Sequence, residues 1–354
     1  MLILGIETSC DETAASLLEV KNKKITVLSN TVSSQVKLHA KYGGVVPSLA
    51  AREHVKNLRP VLELATKNIG LKKIDLIAVT AGPGLISSLL VGTAFAKTLT
   101  WKLNKSIVGT NHIEGHIVSN WLPSIGTSSE LQTPSSKIFP AMCLVVSGGH
   151  TQLTLMRNLG KYKIVGETLD DAAGEAFDKI ARILKLGYPG GPAISVAAEK
   201  LLTTHYKLQT SLPRPMLNSK NLDLSFSGLK TAVLYLDRDL KKKLGKNKLP
   251  RELISQIAAE AQQAIVDVLV SKTIKAAQKY GARSIMLSGG VSANKLLRSE
   301  LQKKAEQREI KYFQPLSEYT TDNAAMIALA GYLNRKLGHG NWKNIKTDAN
   351  WELT

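Results

Sequence analysis

The sequence predicts an α/β protein made of two similar lobes with a cleft between them. The chain has 354 residues, enough for two domains that each bury a core of their own. Its 44% apolar and 21% charged residues are typical of a globular protein rather than a disordered or fibrous one. The same order of strand and helix patterns occurs twice along the chain. A repeat of that length indicates a domain duplication rather than a solenoid.

The first copy occupies about residues 1–138. Three apolar or alternating runs separated by polar turns predict a meander of three strands, at 2–6, 13–19 and 25–29. Helix and strand patterns then alternate: a helix at about 48–68, a buried strand at 74–79, a tight loop at 81–84, a helix at 85–103, and a strand at 106–109 that leads into a helix near His112.

The second copy occupies about residues 139–322 and repeats this order. Its meander is predicted at 142–146, 151–157 and 162–166. A helical insertion follows over about 172–280, and then come a strand at 284–287, a helix at 293–304 and a strand at 311–314. A last helix is predicted at 323–336. We expect the segment 323–354 to pack back onto the first lobe.

Two histidines four residues apart, His112 and His116, suggest a metal site. Residues at i and i+4 share one face of a helix, and neutral imidazole is the commonest protein ligand for metals. The alternative is that one histidine caps the helix and the other is partly buried. Glu114 does not complete a metalloprotease motif, which needs Glu directly after the first His. By the duplication, Asp322 follows the matching strand of the second copy, so we nominate it as third ligand; such a set suits iron or zinc.

Glycine-rich turns follow the first and the fourth strands of the second copy. Residues 147–150 (SGGH) can bring backbone N–H groups close to a phosphate, and residues 288–294 (SGGVSAN) open a helix whose N-terminus favours anions. Together they suggest a nucleotide held between the lobes. The chain has no P-loop motif.

An acidic cluster lies at the start of the helical insertion. A carboxylate there could accept hydrogen bonds from ribose hydroxyls, whereas the alternative is an acidic helix start that complements the helix dipole. The cluster comprises Asp170, Asp171, Glu175 and Asp178. The helix-dipole alternative suits Asp170 and Asp171 better than Asp178.

The chain carries a formal net charge of +19, and the excess is partly clustered at residues 238–251. A basic surface attracts polyanions, so nucleic acid is the expected partner, although a solvated lysine-rich loop explains this run equally well.

Two cysteines, Cys10 and Cys143, form no disulfide framework, and the sequence shows neither a leader nor a membrane-spanning run. We expect a cytoplasmic protein. The Ser/Thr/Pro-rich segment 122–137 is predicted to be a mobile loop.

Many short motifs resemble, in order and in register, the bacterial TsaD branch of the tRNA threonylcarbamoyladenosine family. The resemblance runs from residue 2 to about 336. It rests on residues 5–13 (GIETSCDET), 42–47 (YGGVVP), 83–85 (PGL), 111–116 (NHIEGH), 146–151 (VSGGHT), 174–179 (GEAFDK), 188–192 (YPGGP), 225–231 (SFSGLKT) and 321–323 (TDN). Ser48 departs from the Glu usual in this family, and the 122–137 loop is longer than usual.

The resemblance implies a duplicated actin/Hsp70/sugar-kinase type of fold. It also implies an acyltransferase that moves threonylcarbamoyl from threonylcarbamoyl-AMP to N6 of the adenosine 3′ of the anticodon, in tRNAs reading codons that begin with A, with release of AMP. Implied partners are tRNA, a smaller TsaB-like subunit of the same fold and a TsaE-like P-loop ATPase. The implied ligands of one divalent metal, Fe²⁺ or else Zn²⁺, are His112, His116 and Asp322. The implied substrate contacts are Val146, Ser147, Gly148, Gly149, His150, Asp178, Gly191 and Asn294.

No protein nucleophile is expected, because the donor is already an activated anhydride, and Cys10 has no identifiable histidine partner. Three alternatives stay open on the sequence. They are an ATP-dependent phosphotransferase of the same fold, a metallopeptidase, and a nucleotide-gated tRNA-binding scaffold without catalysis.

Overall fold

The computed structural model describes residues 1–130, 137–200, 211–337 and 342–354. Residue contacts divide the chain into two compact units. Unit 1 contains Met1–Lys137, Asn158–Tyr162 and Pro315–Thr354, and unit 2 contains Ile138–Arg157 and Lys163–Gln314. Asp322 thus belongs to unit 1, whereas the duplication argument took it from the second copy. The predicted cleft between lobes stays a prediction, and residues 131–136 of the predicted loop lie outside the described residues.

Unit 1 is built on a mixed sheet with the strand order β5-β4-β1-β2-β3-β6. The meander is confirmed, since β1, β2 and β3 pair antiparallel, while β4 and β5 run parallel to β1. The short β6 was not predicted; it lies in the segment expected to be a loop. The strands are β1 Leu2–Glu7, β2 Glu12–Lys21, β3 Lys24–Ser34, β4 Leu76–Gly82, β5 Ser106–Asn111 and β6 Ser128–Glu130.

Unit 2 repeats this topology, with the order β11-β10-β7-β8-β9. In both sheets the first strand of the unit lies between its second and its fourth, and the parallel strands follow on one side. The predicted duplication is therefore confirmed at the level of topology. The strands are β7 Ala141–Val146, β8 Thr151–Asn158, β9 Lys161–Glu167, β10 Ser284–Ser288 and β11 Lys311–Phe313.

Helices cover the sheets. In unit 1 they are α1 Val36–His39, α2 Pro47–Thr66, α3 Ile86–Leu103, α4 His112–Val118 and α10 Ala324–Leu333. In unit 2 they are α5 Ala173–Ile183, α6 Gly190–Glu199, α7 Ser227–Leu244, α8 Arg251–Lys279 and α9 Lys295–Glu306. The predicted insertion at 172–280 is thus four described helices, and its residues 201–210 lie outside the described part.

Helix α10 lies directly on the first strand of unit 1. A Cβ atom at Gly5 would come 2.1 Å from the carbonyl oxygen of Ala324, so only glycine allows this approach. The described turns of α10 are almost entirely buried. Strand β1 therefore fixes where the chain that precedes α10 must run, and that chain contains Asp322.

Helix α8 is, within the described residues, the one helix long and apolar enough to cross a membrane by length and composition. Two thirds of its most apolar window, 67%, is buried inside the protein. Its apolar residues, such as Ile265 and Leu269, belong to the core of unit 2. This burial indicates that α8 is a core helix of unit 2.

Candidate metal centre

The two histidines are presented by a short, well-capped helix. Strand β5 ends at Asn111, whose side-chain Oδ1 accepts hydrogen bonds from the backbone N–H groups of Ile113 at 2.9 Å and Glu114 at 3.3 Å. This cap starts α4 at His112. The His112 and His116 rings consequently lie one turn apart on the same face, with centroids 4.7 Å apart and planes at 80°.

Asp322 joins the histidines from the chain just before α10. The N-cap of α10 is Asn323, whose Oδ1 accepts from the N–H of Met326 at 3.0 Å, so Asp322 is not needed as a cap. Its Oδ1 lies 3.1 Å from His116 Nε2 and 3.5 Å from His112 Nε2. The three potential ligand atoms lie within 4.8 Å of one another. The structure thus brings the three predicted ligands together within unit 1.

In the part of the chain that the structure describes, the ring nitrogens of His116 lack hydrogen-bond partners, as expected for a ligand of a metal ion. The side chain is completely buried, and neither ring nitrogen makes a hydrogen bond within the described residues, although Nε2 lies near Asp322. A buried polar group without a partner costs about 1–3 kcal/mol. A cation bound by both imidazoles and the carboxylate would remove that cost. The Asp322 side chain is 18% exposed, so the site can be reached from solvent.

Glu7 lies behind His112, at the end of β1, and is completely buried. Its Oε2 is 3.1 Å from His112 Nδ1 and accepts a hydrogen bond from the Thr80 hydroxyl at 2.6 Å, while its Oε1 accepts from the N–H of Ser9. Burial raises the pKa of Glu7, but the charge of His112 and the bonds from His112 and Thr80 outweigh it. The pKa of Glu7 is therefore held below its ordinary value.

Negative charge dominates the surroundings of the site. Burial lowers the pKa of His112, but the carboxylates of Asp322 and Glu7 outweigh burial and raise it to about 9. Burial and the charges of Asp322 and Asp11 raise the pKa of Glu12 to about 10. The carboxylates that shift both values, Asp322 above all, would likewise stabilise a bound cation.

Glu114 points away from the two histidines. Its Oε1 accepts a hydrogen bond from the Tyr162 hydroxyl at 2.9 Å and its Oε2 from the side-chain N–H of Asn334 at 2.6 Å. A metalloprotease needs this carboxylate beside the metal as a general base. The position of Glu114 contradicts the metallopeptidase alternative, as its spacing in the sequence indicated.

The predicted substrate loop forms a tight turn between β7 and β8. The N–H of Ser147 donates to the carbonyl of His150 at 2.7 Å, and the N–H of His150 donates to the Ser147 hydroxyl at 3.0 Å. Gly148 and Gly149 at its tip are exposed, with no heavy atom within 4 Å of an added Cβ. The space on the side-chain side of both glycines is open, so a ligand can approach the backbone there.

The second glycine turn lies beside the first. Gly289 follows β10 with φ +87°, and a Cβ there would come 2.4 Å from the carbonyl oxygen of Val146 at the end of β7. Asn294 caps α9 by accepting from the N–H of Leu297 at 2.9 Å. Its side-chain N–H group donates to Gln262 Oε1 at 2.8 Å. Both turns therefore lie at the carboxyl edge of the unit 2 sheet, where α/β proteins commonly bind ligands.

Members of the acidic cluster have separate partners. Asp178 accepts from the N–H of Gly190 at 2.6 Å, which places it at the start of α6 and beside Gly191. Asp170 accepts from the N–H of Phe226 at 2.8 Å at the start of α7. The remaining pair, Asp171 and Glu175, form ion pairs with Lys179. Each carboxylate thus has a structural partner, and the contacts of Asp170 and Asp171 differ from the helix-dipole role that the sequence alternative gave them.

Two further residues near the metal centre are Cys10 and Glu7. Burial, followed by the charge of Asp11, raises the pKa of the Cys10 thiol well above its ordinary value and so disfavours the thiolate. Glu7 was not singled out in the sequence. The available signal was a carboxylate that directly ends the apolar strand run Leu2–Glu7.

Comparisons with known proteins give a consistent result. The family described as TsaD, tRNA N6-adenosine threonylcarbamoyltransferase, matches residues 26–329. A protein named tRNA N6-adenosine threonylcarbamoyltransferase from Thermosipho africanus is 48% identical over 355 residues, covering 100% of both chains. One of the same name from Nitrosospira multiformis is 41% identical over 358 residues, covering 100% of this chain and 97% of its own.

Solved structures support the fold. HypF from T. kodakarensis has a TM-score of 0.58 at 14% identity, over 95% of this chain and 48% of HypF, so this chain spans about half the length of HypF. Together with the repeated sheet topology, this likeness supports the duplicated α/β fold. From the family match and the full-length relatives, the chain belongs to the tRNA N6-adenosine threonylcarbamoyltransferase family.

Proposed function

We propose that this protein transfers the threonylcarbamoyl group of threonylcarbamoyl-AMP to N6 of the adenosine 3′ of the anticodon, in tRNAs reading codons that begin with A. The observation that carries this proposal is the cluster of His112, His116 and Asp322 in a chain matched over its whole length by transferases of that name. Each residue of the cluster is one that the sequence resemblance nominated as a ligand.

His112, His116 and Asp322 would hold one divalent ion, and we favour Fe²⁺ over Zn²⁺ for this mixed nitrogen and oxygen set. When bound, such an ion acts as a Lewis acid that polarises and orients oxygen atoms of the substrate. The protein supplies the ligand set, the buried surroundings and the neighbouring negative charge.

The transfer itself needs no covalent intermediate with the protein. The N6 amine attacks the carbamoyl carbon, the bond from that carbon to the phosphate oxygen of AMP breaks, and N6 loses a proton. Negative charge develops on the carbamoyl oxygen, and the exposed amides of Gly148 and Gly149 are suited to stabilise it. Asp178, Gly191 and Asn294 would hold the nucleoside end of the donor.

We further propose that the protein acts in the cytoplasm together with a smaller TsaB-like subunit of the same fold and a TsaE-like P-loop ATPase. The chain has no P-loop motif of its own, so ATP-driven steps would fall to such a partner.

One experiment tests the proposal directly. Purified protein with its partners, threonylcarbamoyl-AMP and tRNA is incubated, and the nucleosides are analysed by mass spectrometry while metal content is measured in parallel. Asp322→Ala should lower metal content and transfer together, because it removes one of three ligands. The control Asp348→Asn changes an exposed carboxylate of the same unit and should leave both at the parental level. ADP formation without modified tRNA would favour a phosphotransferase, and full transfer by metal-free protein would overturn the metal assignment.

A further inference from the structure

Glu7 is held in one position by donors on both of its carboxylate oxygens. The N–H of Ser9 binds Oε1, and the hydroxyl of Thr80 binds Oε2 at 2.6 Å. These donors come from the chain that follows β1 and from the neighbouring strand β4, both in unit 1. The carboxylate is completely buried, so no water competes for it. The remaining contact of Oε2 is His112 Nδ1 at 3.1 Å.

We propose that Glu7 is a positioning residue that fixes the tautomer and the orientation of His112 for metal binding. An ionised carboxylate can only accept hydrogen bonds, so the proton of the neutral imidazole must lie on Nδ1. The lone pair then lies on Nε2, which is the atom that faces Asp322 Oδ1 at 3.5 Å. Carboxylates behind metal-bound histidines act in this way and raise the basicity of the ligand. The inference rests on the proposed metal site.

The two histidines are supported unequally. Among the described residues no hydrogen bond reaches His116 Nδ1, whereas His112 Nδ1 lies near both Glu7 Oε2 and the Ser9 hydroxyl, at 3.2 Å from the latter. His112 is therefore the ligand whose ring is fixed before an ion arrives. No comparable hydrogen bond fixes the tautomer of His116 among the described residues.

Glu7 also sets the charge of the site. Two neutral imidazoles with the carboxylates of Asp322 and Glu7 carry two negative charges, which balance one divalent cation. Without Glu7 the loaded site would hold a buried positive charge that no neighbouring carboxylate of this set neutralises, and such burial is costly. The arrangement thus favours a divalent ion over a trivalent one.

The test is a titration of the purified chain with Co²⁺, followed by its absorption bands, without substrate or partners. Glu7→Gln keeps the shape and one acceptor but removes the charge, and it should weaken Co²⁺ binding by about 10- to 100-fold. Glu7→Asp retains the charge, and its Co²⁺ affinity should lie between those of the parent and Glu7→Gln. Equal Co²⁺ affinity of parent and Glu7→Gln would overturn the proposal.

A matched control is available on the same helix as the ligands. Glu114 is also a buried carboxylate with two donors, Tyr162 and Asn334, but it faces away from the site. Glu114→Gln removes the same charge from the core of unit 1 and should leave the Co²⁺ affinity at the parental value. If both variants weaken binding equally, the effect is general destabilisation and Glu7 has no positioning role.

A second readout reports the tautomer itself. In Zn²⁺-loaded protein with ¹⁵N-labelled histidine, the proton of His112 should reside on Nδ1 and the metal on Nε2, and the opposite arrangement would overturn the proposal. Neither measurement uses transfer activity. Transfer of threonylcarbamoyl can therefore fail while the Co²⁺ and NMR results hold, so the failure of this inference and that of the proposed function are distinguishable.

Discussion

His112 must lose a proton before it can bind a metal. The carboxylates of Asp322 and Glu7 outweigh burial and raise its pKa to about 9 in the metal-free protein, so the imidazole is protonated at neutral pH. A cation and a proton compete for Nε2. We predict that metal affinity increases by about tenfold for each pH unit up to about 9 and then levels off.

The check is a competition titration with a chelator of known proton affinity at several pH values. The Glu7→Gln variant removes one of the charges that raise the pKa of His112, so its affinity should level off at a lower pH. An affinity that does not change between neutral pH and 9 would show that His112 is already neutral.

Asp178 offers a second prediction for a single residue. The amide oxygen of Asp178→Asn can still accept the hydrogen bond from the N–H of Gly190, so we expect little change in melting temperature. If the carboxylate also contacts the donor, affinity for the adenylate should fall while metal content is unchanged. Calorimetry with a non-hydrolysable adenylate analogue measures the affinity. Parental affinity would show that Asp178 only supports the start of α6.

At the scale of elements, the approach of α10 to β1 couples packing to the metal centre. A methyl group at Gly5 would lie 2.1 Å from the carbonyl oxygen of Ala324, two residues after Asp322. We predict that Gly5→Ala lowers the free energy of unfolding by about 1–3 kcal/mol, because α10 must move away from the strand. The displaced Asp322 should also weaken metal binding.

Chemical denaturation and a metal titration check this prediction. Gly228→Ala is the control, since an added Cβ there meets only Pro215, at 3.6 Å, within helix α7. Its stability should equal or exceed that of the parent, because alanine favours a helix more than glycine does. Parental metal affinity in Gly5→Ala would show that Asp322 is positioned independently of α10.

The sequence predicted some elements of the structure and missed others. The meanders, the parallel strands and the helix bearing His112 and His116 follow local periodicity, which a sequence displays directly. The brief α1 and β6 have too few residues for a period to appear. The contact of Glu7 with His112 joins residues 105 positions apart, and no local pattern encodes it.

Asp322 lies beside His112 and His116, and its role as a ligand stays a prediction, but the structure places it in a different unit from the one that the duplication suggested. The duplication suggested that it faces the histidines from the second copy, but the chain from Pro315 onward belongs to unit 1. The reason is the burial of α10 on β1 and β4 of that unit, which tertiary packing decides and sequence symmetry does not. The expected return of the last segment to the first lobe begins earlier than residue 323.

At the scale of the whole molecule, the net charge of +19 favours binding of tRNA, and exposed lysines are the candidate contact surface. Lys241 pairs with the buried Asp237 at 2.5 Å, so it serves the structure of α7. Lys242, Lys243 and Lys246 are exposed at the end of that helix. We predict that changing these three to Glu weakens tRNA binding and flattens its dependence on salt, because fewer counterions are released.

Filter binding at several salt concentrations measures both quantities. The control changes Lys21, Lys23 and Lys24 to Glu, which alters net charge by the same amount in unit 1. Metal and adenylate binding should be unaffected in either variant. If both triple variants lose the same affinity and slope, tRNA responds to overall charge and the run at 238–251 is an ordinary solvated surface.

The division of unit 1 into Met1–Lys137, Asn158–Tyr162 and Pro315–Thr354 has a consequence for biosynthesis. A ribosome makes β1 to β5 and both histidines early, but it makes Asp322 and the helix that covers β1 only after the whole of unit 2. A nascent chain that has not reached Pro315 therefore has two imidazoles, an uncovered strand and no third ligand. A divalent ion encountered at that stage would meet two of the three proposed ligands, and chaperones would meet an exposed apolar sheet face. The three proposed ligands are therefore all present only after Asp322 has been made.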